Sequence, residues 1–330
     1  MNHRPKSAPL ALTTKSTDGV INIIFRGGQT LHLCVSKTKL LGDIMKKILV
    51  PIDFSASSKD ALLVASEIAL KFGATVELLH VNLAAIYSAP FSEYVAVTDY
   101  MADDLQYDES AASALEKLKL EILAMPSYSN LNITTRVEEG YLHSTVRNVA
   151  TEDDVDLVVM GTKGTSGMGE FLVGSNTEKV IRTAPCPILA VPQNIQHFEP
   201  KMVLLPSTLK NDQGGVFRYL TSWEKAFDFL VKVLYLNNPS GLPTDGSAEA
   251  QKNRLAEAAG LKKTEVIITS GTFFEDSSIL MAADMCNADL IVMATHQRKG
   301  LSHFLFGSIT EDTVNHSHIP VLAVPIGWRE

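Results

Sequence analysis

The chain repeats itself, and that repeat limits the architecture more than any other feature of its 330 residues. Val50-Pro51 returns as Leu205-Pro206, and Leu78-Leu79-His80-Val81-Asn82 returns as Val233-Leu234-Tyr235-Leu236-Asn237, both at a spacing of 155. Further on, Asp156-Leu157-Val158-Val159-Met160 returns as Asp289-Leu290-Ile291-Val292-Met293, and Pro187 to Pro192 as Pro320 to Pro325, both at a spacing of 133. The change of spacing puts a net deletion in the second copy between its second and fourth strands, most of it opposite Ala84 to Asp108. The expectation is two tandem domains, residues 45–195 and 200–330, joined through His197-Phe198-Glu199-Pro200. Residues 1–44 differ in composition and read as a mis-annotated start, a disordered leader or a small hairpin.

Within each copy, short apolar runs bounded by turn residues alternate with helical periodicity, the pattern of βαβ units and a parallel sheet. In the first copy the runs are Ile48 to Ile52, Val76 to Val81, Ile133 to Val137, Leu157 to Met160 and Ile188 to Val191. The helical stretches are Ser57 to Phe72, Glu109 to Ala124, Ser144 to Ala150 and Ser175 to Thr183. Leu157-Val158-Val159-Met160 lacks polar alternation, as expected of a strand covered on both faces. The fold class is therefore α/β, each domain a five-stranded, mostly parallel open sheet flanked by helices.

Composition removes several functions. A hydrophobic share of 45% with 20% charged residues is that of a globular protein. A formal charge of −8 leaves no basic surplus for general binding to nucleic acid or an anionic membrane. Cys34, Cys186 and Cys286 form no CxxC and no disulfide framework. No apolar stretch reaches the length of a membrane span, and the N-terminus lacks the apolar core of a secretory signal. A cytoplasmic location is the resulting expectation.

Chemistry concentrates after the fourth strand, where the first copy reads Gly161-Thr162-Lys163-Gly164, nine further residues, then Gly174-Ser175-Asn176-Thr177 and a helix. Glycine lets a backbone approach a phosphate closely or take positive φ. Ser175 and Thr177 open a helix, whose unpaired amides and positive dipole end attract anions. Asp53 follows the first strand, beyond the carboxyl end of the sheet where open α/β folds take their ligands. Read singly, each feature has a structural alternative: Asp53, Ser55 or Ser57 could cap the following helix, Ser175 is a good N-cap, and His80 at a strand end is more simply a packed or hydrogen-bonded residue than a catalytic one.

The spacing G-x2-G-x9-G-[ST]-x-[ST], with Val50-Pro51-Ile52-Asp53-Phe54-Ser55, Leu79-His80-Val81 and Pro185-Cys186-Pro187-Ile188-Leu189-Ala190-Val191, resembles the ATP-binding branch of the universal stress proteins over residues 45–330. The resemblance implies an adenine nucleotide alpha hydrolase-like, Rossmann-like fold and an adenine nucleotide as ligand. That ligand is ATP, or ADP or AMP, with Mg2+ as a further possibility. It implies Asp53 and Val81 at adenine or ribose, and Gly161, Gly164, Gly174, Ser175, Asn176 and Thr177 at the phosphates. It also implies that the last strands, Ile188 to Val191 and Val321 to Val324, pair the two domains about a pseudo-twofold axis, with homodimerisation left open.

The second copy departs at matched positions. Ala294 and Gln297 replace the first two glycines and Thr208 replaces Asp53, while Gly307, Ser308 and Thr310 persist, so its site is expected to be weak or empty. His296, His303, His316 and His318 complete no recognisable ligand spacing with Cys or carboxylate, and no metal site is assigned. No G-x4-G-K-[ST] loop is present and no catalytic residue is assigned. The alternatives to a nucleotide-binding regulator are a slow ATP-hydrolysing enzyme and a nucleotide-independent scaffold.

Overall fold

The computed structural model describes residues 13–17, 20–24, 30–34, 45–82, 97–162, 175–195, 197–207, 209, 213–235, 245–268, 276–295 and 305–329. Among residues 1–44, β1 (Thr13–Thr17), β2 (Val20–Ile24) and β3 (Thr30–Cys34) form an antiparallel sheet of their own. The first half then runs β4 (Lys47–Pro51), α1 (Ala56–Phe72), β5 (Thr75–Asn82), α2 (Val97–Leu123), β6 (Asn132–Glu139), α3 (Leu142–Glu152), β7 (Leu157–Gly161), α4 (Ser175–Thr183) and β8 (Ile188–Val191). The second runs β9 (Met202–Ser207), α5 (Gly214–Phe227), β10 (Leu230–Tyr235), α6 (Asp245–Ala259), β11 (Thr264–Ile268), α7 (Asp276–Cys286), β12 (Leu290–Thr295), α8 (Leu305–His316) and β13 (Val321–Pro325). Helix α2 starts twelve residues before the stretch that periodicity marked out.

The strands of both halves join in one sheet, ordered β11-β10-β9-β12-β13-β8-β7-β4-β5-β6. Each half has the doubly wound order 3-2-1-4-5, and its neighbours are parallel. The exception is the joint between halves, where β8 and β13 run antiparallel. There Leu189 faces Leu322, with Ala190 opposite Val321 and Ile188 opposite Ala323. Leu189 and Leu322 are matched positions of the repeat, so a pseudo-twofold axis passes through the pair.

Side-chain alternation distributes the strands between two cores. Ile48, Val50, Leu157, Val159, Leu189 and Val191 point to the face covered by α1, α2, α5 and α6. Leu49, Val158, Met160, Ile188 and Ala190 point to the face covered by α3, α4, α7 and α8. Each fully buried Leu, Ile or Val contributes about 1.5–3 kcal/mol, which is why these runs carry no polar residue. The repeated aspartates anchor the frame: Asp156 Oδ2 accepts the amides of Lys46 and Lys47 at 2.6 and 2.8 Å, and Asp289 Oδ2 those of Lys201 and Met202 at 2.8 and 2.9 Å. Cys186 lies in the second core, where burial foremost, and the nearby Asp156 carboxylate, push its thiol up to about 12.

Helix ends follow local chemistry. Ser55 caps α1, its hydroxyl accepting the Ser58 amide at 3.1 Å. Gly73 ends that helix at φ 72°, its amide bonded to Ala69 O at 2.7 Å. The matched position at the end of α5 is Asp228, held at φ 58°. An aspartate tolerates this left-handed conformation less well than glycine. Asp228→Gly is therefore expected to stabilise the protein by about 0.5–1 kcal/mol, the lost surface contact to Lys263 being small, and a urea midpoint that does not rise would contradict this.

A charged cluster ties the start of β4 to the end of α3. Lys47 Nζ lies 2.6 Å from Asp153 Oδ2 and 2.9 Å from Glu77 Oε2, and Arg136 Nη1 lies 3.1 Å from Asp153 Oδ2. The hydrogen bond from Lys47 chiefly, with its charge and that of Arg136, holds the Asp153 carboxyl below the usual range against a smaller effect of desolvation. A depressed carboxyl stabilises the fold above its unfolded pKa, and that contribution is lost as the pH falls through the folded one. At pH 7 Asp153→Asn should cost about 1 kcal/mol, given partial exposure of the pair. In urea titrations this difference should shrink steadily below about pH 4; a gap that is unchanged at pH 2 would refute the assignment.

The seam between halves is symmetric where the sequence is. On one face Arg182 makes a bidentate pair with the buried Glu311, and the matched pair is Asn315 Nδ2 to Glu178 Oε1 at 3.1 Å. On the other face α1 meets α5 through aromatic rings: Trp223 lies 5.8 Å from Phe72, 5.7 Å from Phe227 and 6.2 Å from Phe198. Phe198 belongs to the join between halves, and its amide donates to Glu67 of α1.

Candidate functional site

In the order 3-2-1-4-5 the chain turns in opposite directions after β4 and after β7, and a crevice opens beyond the carboxyl ends of these two strands. Ile48 pairs with Leu157 and Leu49 with Val158, so Pro51 and Gly161 leave the sheet side by side. The sequence-predicted residues that can be placed stand around this crevice.

Asp53 is exposed in the turn between β4 and α1. Ser55, not Asp53, caps the helix; Asp53 Oδ1 instead accepts the Ser55 amide at 3.0 Å, two residues on. Phe54, between them, is held at φ 63°, a conformation costly for a bulky residue. Leu209, at the matched position, takes φ 55°, so both halves hold this position left-handed. His80 Nδ1 lies 2.7 Å from Ile52 O, and its ring sits 5.0 Å from that of Phe54, which agrees with a packed, bonded histidine. Val81, near the end of β5, is half-buried against the core on the α3 face.

Gly161 ends β7 directly against the first turn of α1. A Cβ there would stand 2.7 Å from the carbonyl carbon and oxygen of Ser57, and closer still to its Oγ. The glycine therefore has a packing reason, independent of any ligand. In the second half Ala294 takes the matched position and is buried, while Asp212, the match of Ser57, lies outside the described residues. Gly164 and Gly174 lie outside the described residues, as do Lys163, Thr208 and Gln297.

Ser175, Asn176 and Thr177 form the opening turn of α4, whose first amides have no partner within the helix. Asn176 is exposed. Thr177 is buried, and its hydroxyl donates to Gly161 O at 3.2 Å, pinning the helix start to the end of β7. In the second half α8 begins at Leu305, three residues before the match of Ser175, so Gly307 and Ser308 are inside the helix. Among the described residues no group of His, Cys, Asp or Glu is arranged to hold a metal ion, and no helix is long and apolar enough to cross a membrane.

Parallel strands in this order, helices on both faces and a crevice at the switch point define a tandem, doubly wound α/β protein. The chain belongs to the universal stress protein family, whose model matches residues 45–192 and 208–325. Membership implies a stress-response role. A universal stress protein of Methanocaldococcus jannaschii is 31% identical over 172 residues, 52% of this chain and 89% of its own length. One from Synechocystis is 21% identical over 295 residues, 84% of this chain and 99% of its own, and so spans both halves. The crystal structure of a universal stress protein from Archaeoglobus fulgidus matches in fold with a TM-score of 0.65, at 18% identity, over 85% of this chain and 98% of its own.

Proposed function

We propose that the first half, residues 45–195, binds an adenine nucleotide, ATP foremost, and that occupancy alters conformation or partner choice in a cytoplasmic stress response. The second half, residues 200–330, acts mainly as its built-in partner. The supporting observation is the meeting, at one switch point, of the Asp53 turn, the end of β7 and the opening turn of α4 pinned to it by Thr177. Unpaired amides at a helix start suit phosphate, and an exposed carboxylate suits ribose hydroxyls or the adenine amino group. Asp53 and Val81 would face the nucleoside; Gly161, Gly164, Gly174, Ser175, Asn176 and Thr177 would face the phosphates.

Purified protein should release an adenine nucleotide on denaturation, and Gly174→Val should weaken ATP binding about tenfold or more, since the side chain would fill the phosphate approach. Unchanged affinity would remove the phosphate loop from the site. Incubation with ATP and Mg2+ tests the enzymatic alternative: ADP released at about 1 per second or faster would replace the regulatory reading.

A further inference from the structure

We propose that His80 is the positioning residue of this site, fixing the residues on both sides of Asp53 so that its carboxylate meets the ribose hydroxyls of the nucleotide. The inference rests on the nucleotide reading above. Ile52 is held twice, through its amide to Leu79 O at 2.8 Å and through its carbonyl by His80 Nδ1 at 2.7 Å. A carbonyl only accepts, so Nδ1 carries a proton and is the donor in this bond. On the other side of Asp53, the strained Phe54 rests its ring on the same imidazole at 5.0 Å. One side chain thus anchors positions 52 and 54, and the carboxylate at 53 has no freedom to swing with its backbone.

The second half supplies an internal comparison. Tyr235 stands where His80 stands, and Thr208 where Asp53 stands. Leu209 is left-handed all the same, with the Ser207 hydroxyl accepting its amide at 3.0 Å and donating to Gln213. The left-handed conformation at this position therefore does not need a histidine. The histidine accompanies the copy that has a carboxylate to aim.

Calorimetric titration with ATP and with 2′,3′-dideoxyATP separates aiming from folding. Wild type should prefer ATP, and Asp53→Asn should abolish that preference. His80→Phe keeps a ring against Phe54 but removes the donor, so ATP affinity should fall about tenfold while dideoxyATP affinity holds. His80→Asn offers an amide N–H near the place of Nδ1–H and should retain the preference even if the protein melts lower. The double variant should be no worse than Asp53→Asn alone. A His80→Phe protein that keeps the wild-type preference, or loses affinity for both nucleotides alike, overturns the inference and leaves the nucleotide reading standing. Equal wild-type affinity for both nucleotides also overturns it, and a wild type that binds neither overturns both.

Discussion

Trp223→Ala is expected to destabilise the protein by about 3–5 kcal/mol, and to make the second half unfold before the first. The indole is fully buried and is shared: Phe72 leans on it from the first half, Phe198 from the join, and Phe227 and Tyr219 from its own helix. Its match in the first half is Ile68, also fully buried, so the seam is filled asymmetrically and no neighbour can take over the lost volume. Trp223→Phe, which keeps a ring in the same place, should cost only about 1 kcal/mol. Urea denaturation read by circular dichroism, with hydrogen exchange to locate the opening, should show one transition for wild type and two for the alanine variant. A single transition with a loss below 1 kcal/mol would mean that the aromatic cluster does not couple the halves.

Gly161→Ala is expected to cost about 2–3 kcal/mol in the absence of any nucleotide. The atoms in the way include the backbone of Ser57, which cannot rotate aside as a side chain would. Removing the hydroxyl through Ser57→Gly should therefore fail to rescue the variant. The reverse change in the second half, Ala294→Gly, should cost only about 0.5–1 kcal/mol from backbone freedom. If Gly161→Ala melts like wild type but binds ATP poorly, the glycine serves the ligand alone and the packing explanation is wrong.

Much of this architecture was legible in the repeat and in the apolar runs, because a strand buried on both faces cannot hide its composition. The pairing of Ile188 to Val191 with Val321 to Val324 was expected through the resemblance to universal stress proteins rather than from composition, and β8 and β13 do pair. Other features lacked a local signature. Gly161 is needed because the backbone of Ser57 lies against it, and a contact between β7 and the first turn of α1 leaves no mark in periodicity. Likewise, Gly307 and Ser308 persist from the motif of an otherwise degenerate site, while in the structure both lie inside α8. Left-handed Phe54 is invisible in sequence, since strain at a bulky residue is imposed by its surroundings. The seam pair Arg182 and Glu311 stays unmarked until their matches, Asn315 and Glu178, are seen to meet as well.

The antiparallel joint of β8 and β13 also bears on how such a chain can change over time. Two separate copies meeting along that strand would come together only above a threshold concentration, and every substitution would occur in both at once. Here a short tether makes their encounter intramolecular, at an effective concentration on the order of millimolar, so dilution does not part them. One half can then lose residues such as the match of Asp53 without losing its partner. The pair as a whole, rather than either half, becomes the unit on which selection acts.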